Sequence, residues 1–422
     1  MRRQTALLSG PALGLAFVLG AALPAAAQSP AAAQIVSPDQ CGELKAPPGA
    51  WIAACSQIID GGQVLGPDLA KAYAHRGHAF TVLRNLPRAG EDLNNAIKLD
   101  PALAIAYVNR ANLYNVAGRP DRAMIDANRA VELAPNMPHP YFVRGAAAIK
   151  LKNNDLAISD FTEVLRTRPN FAQVYGLRGL AYHNQGDDVR AVADYDERLN
   201  REPEIGTYLN RGDARRNLKN YTGASDDYSE AIRLAPANPG GWKGRGFIRM
   251  MTQDFKGSVA DFDEAIKLDP HFGGALGNRG YAYFRKRAYD RALADFNALL
   301  KLTPNDMMTY INRGNVYRSM EQLDKAGADY AKVIELAPKD ARGWRNRALI
   351  KLMKDDFKGG LADYDEALKY DARDAYSWNN RAIAKRELGD KDGAIADFKK
   401  ALEINPTLAS AKKALSDLGA AP

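Results

Sequence analysis

Cysteine is almost missing from this chain: Cys41 and Cys55 are the only two among 422 residues. They are not spaced as CxxC, which argues against thiol–disulfide redox chemistry. Histidine is nearly as scarce, with five in all. His75 and His78 lie three apart on one helical face, but no third ligand accompanies them, so no metal is expected. His139, His183 and His271 stand alone, and none has a recognisable Ser or Cys nucleophile partner. No glycine-rich loop leads into a helix with Lys-Ser/Thr, which removes the phosphate-cradling motif. Beyond the first residues no apolar run approaches the roughly 20 needed to cross a bilayer. Basic residues are dispersed rather than clustered, and a formal charge of +8 is mild for this length, so nucleic-acid binding is not expected. No catalytic constellation and no cofactor are expected.

What is present begins with an address. Arg2 and Arg3 form a basic start, Ala6 to Leu23 is apolar but broken by Gly10-Pro11, and Ala25-Ala26-Ala27 precede Gln28. This pattern predicts a cleavable signal peptide over 1–27 and a periplasmic or secreted product. Residues 28–49 follow as a flexible segment, rich in Ala, Pro and Gln up to residue 40. In an oxidising compartment Cys41 and Cys55 read as one disulfide around Pro47-Pro48-Gly49, contributing about 3 kcal/mol through loop-closure entropy.

Prolines then mark a period. Pro101, Pro135, Pro169 and Pro203 are 34 apart, the step to Pro236 is 33, and Pro270, Pro304 and Pro338 resume at 34. Ala372 stands where the next proline is due, and Pro406 closes the series. Ten units follow, starting at Ala70, Ala104, Pro138, Ala172, Ile205, Pro239, Gly273, Met307, Ala341 and Ala375. Position eight is small in each (Gly145, Gly314, Ala382), as is position twenty (Ala157, Ala326, Ala394). Aromatics usually fill position four (Tyr107, Tyr141, Tyr175, Trp242, Trp344, Trp378) and position twenty-four (Phe161, Tyr195, Phe262, Phe398). Positions four, eight and eleven share one helical face, as do twenty, twenty-four and twenty-seven. Turn signals such as Gln185-Gly186-Asp187 lie between them. Two amphipathic helices, a tight turn and a terminating proline are the consistent reading of each unit.

This pattern resembles the tetratricopeptide repeat over Ala70 to about Leu408. The resemblance implies an all-α, right-handed superhelical solenoid of about ten helix-turn-helix repeats, with a concave groove lined by the first helix of each pair. Capping helices are expected at both ends: a half-repeat over 50–69, and a helix over 409–422 carrying Ala411, Leu415 and Leu418 on one face. Some positions depart from the pattern. Arg198 replaces the usual alanine at position twenty-seven, and Arg215, Arg249, Lys351 and Lys385 occupy position eleven. Units four and five are read as a distorted junction with a local bend rather than a domain boundary.

Two internal signatures stand out. Position seven is Arg and position twenty-three is Asp in every unit, from Arg76 and Asp92 to Arg381 and Asp397. In an antiparallel pair these positions lie at similar height, so half-buried Arg–Asp pairs are expected, within or between units. Position six carries Asn109, Asn210, Asn278, Asn312, Asn346 and Asn380. These amides face away from position eight and offer both a donor and an acceptor to an extended backbone. The resemblance implies such an asparagine ladder; a plainer role, satisfying a neighbouring helix terminus, stays open. Phe247, Tyr281, Arg285, Arg342 and Tyr376 would shape the groove for apolar and acidic side chains. The expected function is a non-catalytic scaffold of the cell envelope that binds an extended peptide or protein partner. The alternative is an adaptor delivering clients to an envelope peptidase or another enzyme.

Overall fold

The computed structural model describes residues 37, 40–42 and 46–421. The expected leader over 1–27 and most of the expected flexible segment over 28–49 lie outside them. The described regular structure is one short 3₁₀ turn and 22 α-helices, with no strand among the described residues. No helix among them is long and apolar enough to cross a membrane.

Apart from repeat five, each repeat is a hairpin of a first and a second helix, as in repeat eight with Met307–Ser319 and Leu323–Leu336. The second helix often begins on an Asn or Asp that caps its own N-terminus. Asp356 Oδ1, for example, accepts from the Gly359 N–H at 2.9 Å. The turn before it takes a left-handed residue at position fifteen in all ten repeats: Gly118, Gly186 and Gly389, and seven non-glycine residues such as Lys152 and Asp355. Only the glycine cases were legible as turn signals. The others hold an unfavourable backbone conformation costing about 1 kcal/mol each, which the packing of the hairpin offsets.

Small residues at position eight let the two helices close on the ring at position twenty-four. A Cβ on Gly145 would stand 2.8 Å from the Phe161 ring, and one on Gly314 the same 2.8 Å from the Tyr330 ring. Phe161, Tyr195, Phe262, Tyr330 and Phe398 are consequently 0% exposed, each burial stabilising by roughly 2–3 kcal/mol. The ring at position four ties down the turn between repeats. Tyr141 Oη donates to the Pro135 carbonyl at 2.9 Å and Trp344 Nε1 to that of Pro338 at 2.8 Å. Trp378 makes the same bond to Ala372 at 2.9 Å, so the missing proline costs this tether nothing.

The departures have local explanations. Arg198 is buried, lies over Gly176 where no side chain competes for the space, and donates to Glu202 at 2.5 Å. The position-eleven cations Arg249, Lys351 and Lys385 reach the position-twenty-three carboxylates of Asp261, Asp363 and Asp397 at 2.8, 2.9 and 2.9 Å. They add a second cation to a carboxylate already held by one.

At the N-terminal end a helix runs over Pro48–Asp60, and Cys41 and Cys55 are joined with their Cα atoms 5.1 Å apart. The first helix of repeat one starts at Gly66, one turn ahead of the expected Ala70, because Pro67 and Asp68 suit its first turn. At the other end Ala409–Asp417 is helical and buries Ala411 and Leu415.

The chain divides into two compact units between Lys219 and Asn220. Repeat five therefore gives its first helix, Ile205–Asn217, to the first unit and its second, Tyr221–Leu234, to the second. The division falls in the turn inside repeat five, within the stretch read from the sequence as a distorted junction.

One consequence is testable by pH. The His78 ring stacks on Trp51 with centroids 5.9 Å apart, and its Nδ1 is buried without a partner. Burial, helped by the charges of His75 and His139, pulls its pKa down from 6.5 to about 4. The unfolded chain binds the proton more readily between those values, so stability present above pH 6.5 is lost as pH falls toward 4. The expected loss is roughly 2 kcal/mol, allowing for the ring's partial solvent contact. Melting His78→Gln beside the parent at pH 7.5 and 4.5 checks this; equal acid sensitivity in both would place the proton elsewhere. His75 and His78 belong to no cluster of three or more His, Cys, Asp or Glu suited to a metal among the described residues.

Candidate functional site on the first-helix face of the second unit

The Arg at position seven settles what the wall is made of. In nine repeats its Nε and Nη2 donate to the two oxygens of the position-twenty-three Asp of the same repeat, at 2.6–3.1 Å. The carboxylates are nearly buried and the guanidinium groups half-buried: Asp329 is 6% exposed and Arg313 20%. Hydrogen bonding to Asp329 holds the Arg313 guanidinium above its ordinary pKa, while burial raises that of Asp329 against the pull of Arg313.

The remaining nitrogen, Nη1, reaches back to position twenty-five of the preceding repeat. Arg110 bonds Asn94, Arg144 bonds Asn128, Arg178 bonds Thr162, Arg279 bonds Asp263 and Arg313 bonds Asn297. Where repeat four is one residue short, Arg211 still finds Asp196. The ion pair thus lies within a repeat and the third bond between neighbours. A polar residue recurs at position twenty-five in the sequence, and that signal announces the second contact. Ala331 is the exception, and Arg347 makes only its two bonds to Asp363. These arginines are structural and are not free to meet a ligand.

The amides at position six divide into two groups. Asn109 is 6% exposed and donates to the Ala74 carbonyl of the preceding repeat at 3.1 Å. Its amide is spent on the packing between repeats, against a carbonyl in the middle of the Gly66–Val82 helix. Asn380 donates to the Tyr364 hydroxyl at 3.0 Å and accepts from Asn379 at 3.0 Å. Asn210 is half-buried in the first unit. Asn278, Asn312 and Asn346 occupy the same position in three consecutive repeats of the second unit. Each is half-buried, and its amide makes no hydrogen bond among the described residues.

Around these three amides the first helices are Gly273–Arg285, Met307–Ser319 and Ala341–Met353, flanked by Pro239–Met251 and Ala375–Glu387. Every charged residue on these five helices except Glu387 is Arg or Lys. Of the other predicted groove residues, Tyr376 is 61% exposed and unencumbered at its ring. Arg285 is exposed and rests 5.1 Å over the Phe255 ring and 5.9 Å over that of Tyr281. Phe247 is half-buried against the cluster around Phe262. Arg342 is already occupied, donating to Asp340 at 2.7 Å and to the Met308 sulfur at 3.0 Å. Two residues the sequence reading did not select belong beside them. Arg345 donates to Asp374 at 3.2 Å with 41% of its side chain still exposed. The Arg318 guanidinium has no hydrogen bond or ion pair among the described residues.

Family models described as tetratricopeptide repeat match residues 76–138, 142–202, 205–238, 250–306, 308–340 and 375–408. Among solved structures, a tetratricopeptide repeat protein from Parabacteroides merdae is 19% identical with a TM-score of 0.48, covering 59% of this chain and 98% of that one. YrrB, described as a TPR protein with an unusual peptide-binding site, is 18% identical with a TM-score of 0.39, covering 45% and 97%. The Cut9–Hcn1 hetero-tetramer of the APC/C is matched at 15% identity and a TM-score of 0.48, covering 88% and 80%. No curated protein matches the chain.

Proposed function

Because the chain belongs to the tetratricopeptide-repeat family, we propose that it is a non-catalytic scaffold of the cell envelope that holds an extended segment of a partner protein. The segment lies along the first-helix face of the second unit. One observation carries this reading: Asn278, Asn312 and Asn346 present unspent amides at equivalent positions of consecutive repeats. An amide that is half-buried and bonded to nothing gains little for the fold. It is well suited to a peptide backbone, which needs one donor and one acceptor at each residue. The neighbouring Arg–Asp pairs hold the helices that carry these amides. The envelope location rests on the leader pattern and on the Cys41–Cys55 bridge, which an oxidising compartment preserves.

Selection of a phage-displayed library of random dodecapeptides on the whole protein should yield binders. Asn312→Ala should then weaken a selected peptide by roughly three- to tenfold, the value of one or two exchanged hydrogen bonds. The triple replacement at 278, 312 and 346 should abolish binding with the melting point unchanged. Wild-type affinity in the triple variant would end this reading.

A further inference from the structure

The first-helix face is not uniform: between repeats nine and ten it opens into a cleft of about 280 Å³. Arg345, Asn346 and Leu349 form one wall and Tyr376, Ser377 and Asn380 the other, with Tyr364 and Asp374 also lining it. That volume accepts one side chain of a bound segment.

The polar groups in the cleft are unevenly spent. Asp374 is saturated: it accepts from Arg345 at 3.2 Å, from Ser377 Oγ at 2.7 Å and from the Tyr376 N–H at 3.2 Å. Its charge is therefore matched by Arg345. The Tyr364 hydroxyl accepts from Asn380 at 3.0 Å, which leaves its own proton to give. Burial keeps that hydroxyl protonated far into the alkaline range, so at neutral pH it is a donor. The Asn346 amide is unspent, and Arg345 has further N–H groups to offer. Arg318 does not line the cleft, but it has no ion pair among the described residues and its charge acts on the Tyr364 hydroxyl. Leu349 and the exposed ring of Tyr376 supply apolar flanks.

A cleft with surplus donors and apolar flanks, its one carboxylate already matched by Arg345 and an unpaired cation outside its lining, is complementary to one carboxylate on a short aliphatic stem. Building on the peptide-holding reading above, we infer that the cleft formed by Arg345, Asn346, Tyr364 and Asn380 anchors an acidic side chain, aspartate or glutamate, within the bound segment. Tyr376 lines the cleft yet is 61% exposed, so the cleft is open to solvent on that side and a chain that enters can continue past it. The anchor accordingly serves an internal residue rather than a chain end. The amides of repeats seven to nine would bind any sequence; the cleft would give the face its preference.

Peptides recovered from the phage library test this when resynthesised with both ends blocked. The expected result is a recurrent acidic position whose replacement by the amide (Glu→Gln or Asp→Asn) weakens binding about tenfold. In Tyr364→Phe and in Arg318→Gln that discrimination between the acidic peptide and its amide should shrink to about twofold or less. Tyr364→Phe is expected to fold, since phenylalanine stands at the same position in Phe161, Phe262, Phe296 and Phe398. Two outcomes overturn the inference and leave the peptide-holding reading intact. One is binders with no acidic preference; the other is a preference that survives undiminished in both variants. A library that yields no binders removes both.

Discussion

Arg313→Ala is expected to take about 3–5 kcal/mol from repeat eight. The loss is large because the substitution strands Asp329, a carboxylate only 6% exposed that accepts from Arg313 at 2.9 and 2.6 Å. The repeat would then hold an uncompensated buried charge. The variant also frees Asn297 in the preceding repeat, which receives the third bond at 2.7 Å. In an array whose stability is a sum of neighbouring terms, faster hydrogen exchange should appear in Met307–Ser319 and Leu323–Leu336 and extend back toward Asn297.

Arg347→Ala makes the informative contrast. Lys351 stays 2.9 Å from Asp363, and Ala331 offers no third bond to lose. Its cost should be no more than about half that of Arg313→Ala. Equal costs would show that Lys351 does not stand in for Arg347, and an Arg313→Ala melting point unchanged from the parent would show that the pair is merely solvated.

Replacing both cysteines with serine should cost about 3 kcal/mol at the N-terminal end. Cys41 and Cys55 are 1% and 0% exposed, and the bridge fastens the turn at Gln40–Gly42 to the helix Pro48–Asp60. Repeats pass stability only to their neighbours, so lost protection should be confined to Pro48–Asp60 and Gly66–Val82. The helix Ala409–Asp417 should exchange as in the parent. Uniform loss along the chain would contradict the nearest-neighbour account. In the native protein the bridge should resist mild reductant, because a thiolate must first reach the buried sulfurs.

Much of this was legible in the residues. A ring at position twenty-four needs a glycine or alanine at position eight, so the hairpin can be read from pairs such as Gly314 and Tyr330. Arg at seven and Asp at twenty-three announced a pair because a buried charge demands its partner in every copy. The direction of the third bond needed position twenty-five as well, where Asn94, Asn128 and Asn297 stand among more variable residues. The left-handed turns at Lys152 and Asp355 carried no signal, since nothing about lysine or aspartate demands that conformation.

The sequence by itself determined the period, the helix pairs and the presence of a pair of buried charges in each repeat. Each of these is set by residue identity at a fixed spacing. Only the tertiary structure decided which asparagines remain unspent, because that depends on atoms one repeat away. Asn109 meets the Ala74 carbonyl, and Asn380 meets the hydroxyl of Tyr364. The ring preceding Asn312 is Phe296, which has no hydroxyl, whereas the Tyr330 hydroxyl preceding Asn346 donates to Asn315 Oδ1 at 2.8 Å and makes no bond with Asn346. Identical residues at identical positions thus serve the fold in some repeats and stay available in others, according to whether a neighbour supplies a hydrogen-bonding atom.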